Sequence, residues 1–233
     1  MKSLAFLIVL MLSLEASSQS TINVDDSSKF TNSIMYFNSG SGIPYVMSKY
    51  ARIVEGSIFI PEKLSPAYIF LRGNQKAISP ISARLNIIEN TLNYFDEIKG
   101  IELSAIVAIS EARFKDSITG QTRIYSQSIP GCTVAKPGWH EVMETGKLNL
   151  YRQINKTIIE TKQYGSATAE QKVETSYSYF IKSGSACRSV KKIAELTDLL
   201  IQSDPGFKDK IPKRKLSDKK EEDWIEIAKL YNQ

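Results

Sequence analysis

His140 is the only histidine in the chain, which narrows the available chemistry. A zinc site built on two or three imidazoles is impossible. His140-Glu141-Val142-Met143-Glu144 has the outline of a metalloprotease helix, but Glu144 stands where the second histidine belongs. Thr145-Gly146 also interrupts the helix that such a motif needs to place both ligands on one face. A Ser-His-Asp arrangement would have to use His140, and no Gly-x-Ser-x-Gly elbow presents a serine to it. A Cys-His pair could draw on Cys132, eight residues upstream, but Pro137-Gly138 intervenes. A structural role for that cysteine is the better reading.

Ser189-Val190-Lys191-Lys192 and Ser217-Asp218-Lys219-Lys220 carry Ser-x-x-Lys spacing. The companion motifs of serine acyltransferases are absent as a set, and helix capping accounts for both serines. Paired carboxylates could do acid–base work without histidine. The obvious clusters, Asp25-Asp26 and Glu221-Glu222-Asp223, read as solvated surface, the second at the start of a helix where acids suit the dipole. There is no Walker loop and no dinucleotide fingerprint, so no cofactor is implied. Asn155-Lys156-Thr157 fits a glycosylation sequon, which matters only in a eukaryotic secretory pathway and is read as chance.

The strongest local charge is Lys213-Arg214-Lys215, with Lys208, Lys210, Lys219 and Lys220 nearby. Lys213, Arg214 and Lys215, with Trp139 and His140, are the candidate binding residues. An anionic surface or an acidic envelope protein would be the partner. Six acids between Asp204 and Asp223 dilute the cluster, so a solvated helical face competes with that reading. The net charge of +5 is modest, and aromatics do not interleave with the lysines, so specific nucleic-acid binding is not expected.

The elements that position these residues follow an export signal. Met1-Lys2-Ser3, the apolar run Leu4 to Leu14 and Ala16-Ser17-Ser18 come in the order of a cleavable signal peptide, with cleavage expected before Gln19. The apolar run is too short to span a bilayer, no transmembrane span is expected in the mature chain, and no cysteine offers a lipid anchor. The expected location is periplasmic or secreted. In that oxidising setting Cys132 and Cys187 can pair, closing a loop of about 55 residues; two separately buried cysteines fit the sequence equally well.

Residues 19–130 read as a β-rich N-terminal region, and 131–233 as an α+β C-terminal region. The first opens with a Ser/Asn/Gly-rich stretch and a short helix near Tyr45 to Tyr50. A β meander follows: Ile58 to Ile60, stopped by Pro61; Ala67 to Leu71; Ala77 to Leu85, with Pro80 marking an edge or bulge; a hairpin around Glu89-Asn90-Thr91; then Ile101 to Leu103 and Ile106 to Ile109. Residues 126–138 form a joint rich in loop-forming types. Strands are then expected at Trp139 to Met143, Lys147 to Ile154, Thr157 to Thr161 and Tyr177 to Lys182.

Three helical segments close the chain. Val190, Ile193, Leu196, Leu199 and Leu200 share a face of the first; Asp204 caps a short second one at Pro205; Asp218 and Glu221 form a capping box for the third. In the third, Trp224, Ile227, Ala228 and Tyr231 make one apolar stripe that must pack on the strands. The fold class expected is α+β, a meander followed by strands carrying a short helical bundle.

Several stretches resemble a family of small, uncharacterised secreted proteins common in Bacteroidetes. They are the signal ending before Gln19, Val54-Glu55-Gly56-Ser57, Gly146 to Tyr151, Tyr164 to Thr168, Tyr179-Phe180-Ile181, and the Lys-rich final helices with the closing Leu230-Tyr231-Asn232. The resemblance implies export and this order of elements, and no chemistry, since that family has no assigned activity. Cys132 and Cys187 are not features of its pattern.

Overall fold

The computed structural model describes residues 42–44, 51–73, 77–105, 107–116, 120–161 and 169–233. The expected signal peptide and the helix near 45–50 lie outside them, as do Ile106 and all of Tyr164 to Thr168. The strands are β1 (Gly42–Pro44), β2 (Ala51–Glu55), β3 (Phe59–Leu71), β4 (Ala77–Asn86), β5 (Thr91–Asp96), β6 (Ile101–Ala105), β7 (Ile109–Lys115), β8 (Thr122–Ser126), β9 (His140–Glu144), β10 (Asn149–Thr161), β11 (Ala169–Ser183) and β12 (Ala186–Val190). Helix α1 (Ile193–Ser203), a 3-10 helix (Pro205–Lys210) and α2 (Glu221–Asn232) follow.

All twelve strands belong to one sheet, in the order β1-β6-β5-β4-β3-β7-β8-β9-β10-β11-β12, with β2 pairing separately on β11. Every pairing is antiparallel except β2 with β11. The α+β expectation is therefore corrected to a mainly β molecule, whose few helices gather near the C-terminus. Strands β8 and β9 pair with each other on either side of the loop at 127–139.

The break expected at Pro61 turns out to be a bulge, and at Pro80 the bulge alternative holds; a bulge lets one strand absorb residues that cannot pair. Pro61 does not end its strand: β3 runs on to Leu71, and its register with β4 shifts between Ile60 and Ser65. Pro80 sits opposite a second shift, between Ala67 and Ile69, in a strand paired on both sides. The hairpin after β4 forms as expected. Asn90 takes a positive φ of 56° there, and the Asn86 side chain accepts from the Glu89 N–H and donates to the Glu89 carboxylate.

Alternation along the strands puts Ala67, Ile69, Leu85, Leu92, Tyr94, Leu103, Ala112 and Phe114 on one face, where they pack together. Trp139 and Ile154 join this cluster, so the sheet curls far enough for β9 and β10 to meet the inner face of the meander. Lys156 of β10 donates to the carbonyls of Ser57 (2.5 Å) and Phe59 (3.1 Å), tying the far side of the curl to the start of β3.

Farther along, the same face is covered by the helices. Leu148, Leu150, Tyr179, Ile181 and Val190 pack on Ile193, Leu196, Leu200, Phe207, Trp224, Ile227, Ala228 and Tyr231. The expected stripe of α2 is buried, with Trp224 fully enclosed and its ring stacked on Tyr179 at 3.9 Å and 5°. The Asn232 side chain accepts from the Leu148 N–H and donates to the Leu148 carbonyl, closing α2 onto the sheet. Gly146 permits that approach: a Cβ there would lie 2.6 Å from the Asn232 amide.

Asp218 does not open α2. Its Oδ1 accepts from the Ile193 N–H at 2.7 Å, serving the N-terminus of α1, and its carbonyl accepts from Trp224 Nε1 at 3.0 Å. Asp204 does cap the short helix, accepting from the Gly206 N–H.

Candidate functional site

The residues with chemistry converge along one cross-strand row. Successive registers place Ala112 beside Tyr125, Tyr125 beside Glu141, Glu141 beside Arg152, Arg152 beside Tyr179, and Tyr179 beside Val190. The row lies on the inner face, between the meander core and the helix-covered core. A charged pair is buried at this seam. The Glu141 Oε2 atom accepts from Arg152 Nε (3.0 Å) and Nη2 (2.5 Å), with both side chains under one-tenth exposed.

Two further residues close the arrangement. Arg123 Nη1 donates to Glu141 Oε1 at 2.6 Å and to Glu221 Oε1 at 3.2 Å. Arg152 Nη1 is ion-paired with Glu221 Oε2 at 2.8 Å. The result is a ring of two arginines and two glutamates, in which all four carboxylate oxygens are engaged. Glu221 is the first residue of α2, so the ring also docks that helix N-terminus on the sheet, where a carboxylate suits the helix dipole. Burial disfavours the Arg152 charge, but the Glu141 carboxylate and its hydrogen bond outweigh that and raise its pKa above the ordinary arginine value. Burial, reinforced by Glu141, likewise pushes the Tyr125 hydroxyl up.

Two open pockets flank the ring and share Arg152. One, of about 400 Å³, lies between the β3 bulge and β10 and is lined by Ile60, Pro61, Phe114, Tyr125, Arg123 and Ile154 among others. The other, of about 560 Å³, is bounded by Tyr177, Tyr179, Val190, Lys191, Lys219 and Glu221 among others. Tyr177 stands at its rim, 53% exposed, with the Arg152 guanidinium 4.9 Å from its ring centre. In this pocket one Asp218 carboxylate oxygen accepts from the Ile193 N–H, and Glu221 is ion-paired with the arginines. Among the described residues neither the Lys191 nor the Lys219 ammonium has an ion-pair partner.

The residues singled out by sequence are not brought together. Trp139 is buried in the meander core, with its Nε1 lacking a hydrogen-bond partner. His140 is buried on the opposite face of the sheet, edge-on to Phe180 at 5.9 Å. It sits on strand β9, not on a helix, and neither ring nitrogen finds a hydrogen bond. Burial lowers its pKa below the ordinary histidine value, against a smaller opposing pull from backbone groups of Gly138 and Ser126.

Above this face lies the 127–139 loop, fastened by a Cys132–Cys187 disulfide with a Cα separation of 5.3 Å. The bridge packs with Ile129, Tyr151, Phe180 and Val142. In the basic run, Lys213 and Lys215 are exposed. Arg214 is ion-paired with Asp223 at 2.6 Å and with Glu226, so it braces α2 rather than facing a partner. The Arg214 hydrogen bond, with one from the Ser217 N–H, holds the Asp223 carboxyl below its ordinary pKa.

Sequence reasoning missed the ring because its members are far apart in the chain and meet only through strand register. The one local signal is polarity at inner-face positions, Glu141 beside Met143 and Arg152 between Leu150 and Ile154. Among the described residues no helix is long and apolar enough to cross a membrane, and no cluster of three metal-binding side chains occurs. No family model, curated protein or solved structure matches this chain.

Proposed function

We propose that this protein is an exported, non-enzymatic binding protein whose binding face is the region around Arg152 and Tyr177. The observation that supports binding over hydrolysis is the saturation of the carboxylates. Glu141 and Glu221 are the acids that meet beside the pockets, and every oxygen of both already lies in an ion pair with a guanidinium. A hydrolase built on paired carboxylates needs one oxygen free to reach the leaving group and another to reach water or the sugar. An ion-pair ring instead holds a surface in a fixed shape.

Beside the ring an exposed aromatic and two uncommitted lysines border an open pocket, the features by which surfaces recognise partners. The disulfide accords with an oxidising compartment, as does the leader-like N-terminus.

The test is retention of partners on immobilised protein from the exported fraction of its own cells. Tyr177→Ala, an exposed change expected to leave the melting temperature within about a degree or two, should lose the species that the wild type retains. Equal retention by both proteins would place the binding face elsewhere.

A further inference from the structure

Strand β11 has a gap along its outer edge. On one side it is paired with β10 over its whole described length, from Glu170 to Lys182. On the other side β2 covers Ala169 to Lys172, and β12 covers Tyr179 to Ser183. Between them the chain leaves the edge at Gly56, which has a positive φ of 79° and backs directly onto Val173. Among the described residues no strand pairs with the outer edge of Glu174 to Ser178, of which all but Ser178 are exposed. This slot is roughly 17 Å long at the usual rise per residue. It opens beside the pocket lined by Tyr177, Ser178, Lys191 and Lys219.

We propose that this slot takes an extended, acidic segment of a partner protein as an added strand. The proposal rests on the binding function above and names the class of partner. Backbone chemistry supplies the mode: alternate N–H and C=O groups of an open edge are satisfied by another extended chain and by few other ligands. Charge supplies the composition: the pocket holds Arg152, Lys191 and Lys219 against Asp218 and Glu221, of which Glu221 is already ion-paired with the arginines, so acids of the segment belong at the Tyr177 end of the slot, away from exposed Glu174. Tyr177 offers a ring for an apolar side chain of the segment.

Geometry excludes a second copy pairing through the same strand. β11 is a 15-residue strand embedded in its own sheet, and it would run into β2 at one end of the slot and β12 at the other. Only a linear segment that can leave the sheet plane at both ends fits.

The experiment is hydrogen exchange of the backbone amides of Glu174 to Ser178, read with and without a short synthetic peptide alternating Glu with Val. Its alternately N-methylated form and its Lys-for-Glu form serve as controls. The acidic peptide should protect outward-facing amides in that stretch, and neither control should. Lys191→Glu with Lys219→Glu should weaken binding about tenfold and reverse its salt dependence. Protection already complete in the free protein would mean that the chain itself fills the slot, and protection that grows with protein concentration would mean that a second copy does; either overturns the proposal. Binding that perturbs Tyr177 without protecting any amide would also overturn strand addition. Absence of any effect, while Tyr177→Ala still loses the retained partner, would overturn the acidic-peptide class and leave the binding face standing.

Discussion

Replacing Trp224 by alanine tests how the helices are held to the sheet. The side chain is fully enclosed, stacked face to face on Tyr179, and its Nε1 donates to the Asp218 carbonyl. Truncating a buried aromatic costs ~3–5 kcal/mol. The loss of a stacked partner and of one hydrogen bond places this case in the upper part of that range, at ~4–5 kcal/mol. For a chain of this size that corresponds to roughly 10–15 °C in melting temperature, a large share of the ~5–15 kcal/mol that stabilises a typical domain.

Trp224→Phe keeps an aromatic ring against Tyr179 but loses the Nε1 bond and part of the buried indole volume, so it should cost less than the alanine change, ~2–3 kcal/mol. Thermal melts and urea unfolding measure both. Because Trp139 is also buried, native fluorescence should resist aqueous quenchers. An unchanged melting temperature for Trp224→Ala, with the tryptophans open to quencher, would refute the packing described and make α2 a free amphipathic helix.

Three further outcomes are expected. Reducing the Cys132–Cys187 bridge, or changing both cysteines to serine, should lower the melting temperature by several degrees, since closing a loop of this length is worth at most ~4 kcal/mol; free-thiol labelling of the unreduced native protein would contradict the bridge. Glu141→Gln should destabilise by ~3–5 kcal/mol, because it leaves the buried Arg152 without its main counter-charge, while Glu144→Gln, on the same strand but outside the ring, should change stability by less than about 1 kcal/mol in the same urea titration. His140 is held below its unfolded pKa, so the unfolded chain takes up a proton first as pH falls; stability should be full above about 6.5 and decline below it, and His140→Phe should flatten that part of the stability–pH curve.

Much of the meander is legible in the sequence because its strands alternate apolar and polar residues and its turns carry Asn or Gly. The hairpin at residues 87–90 and the strand from Ala77 are examples. The stripe Trp224, Ile227, Ala228, Tyr231 is legible for the same reason at helical spacing. The failures share a cause, which is that a polar residue looks like a boundary until its partner is known. Asn155-Lys156 divides β10 on paper, yet Lys156 is satisfied by carbonyls about a hundred residues upstream. Pro61 reads as a stop because a bulge leaves no trace in one strand alone.

Strand β12, Ala-Cys-Arg-Ser-Val, has too little apolar alternation to be seen, and Val190 is drawn into the helix that follows. Asp218 sits at the right spacing to cap α2 but is taken by the Ile193 N–H, a contact that exists only once α1 and α2 are side by side. The ring of Arg123, Glu141, Arg152 and Glu221 is the extreme case, since none of its spacings means anything before the strand registers are set.

The central claim is that the face at Tyr177 and the adjoining edge of β11 is where a partner docks. A photo-crosslinking amino acid placed at position 177, with a second protein carrying it at exposed Tyr68 of β3 as the control, reads this directly in the protein within its own cells. A discrete adduct is expected from position 177, lost when Lys191 and Lys219 are changed to glutamate, and none from position 68. Adducts from position 68 alone, or from neither position, would contradict it.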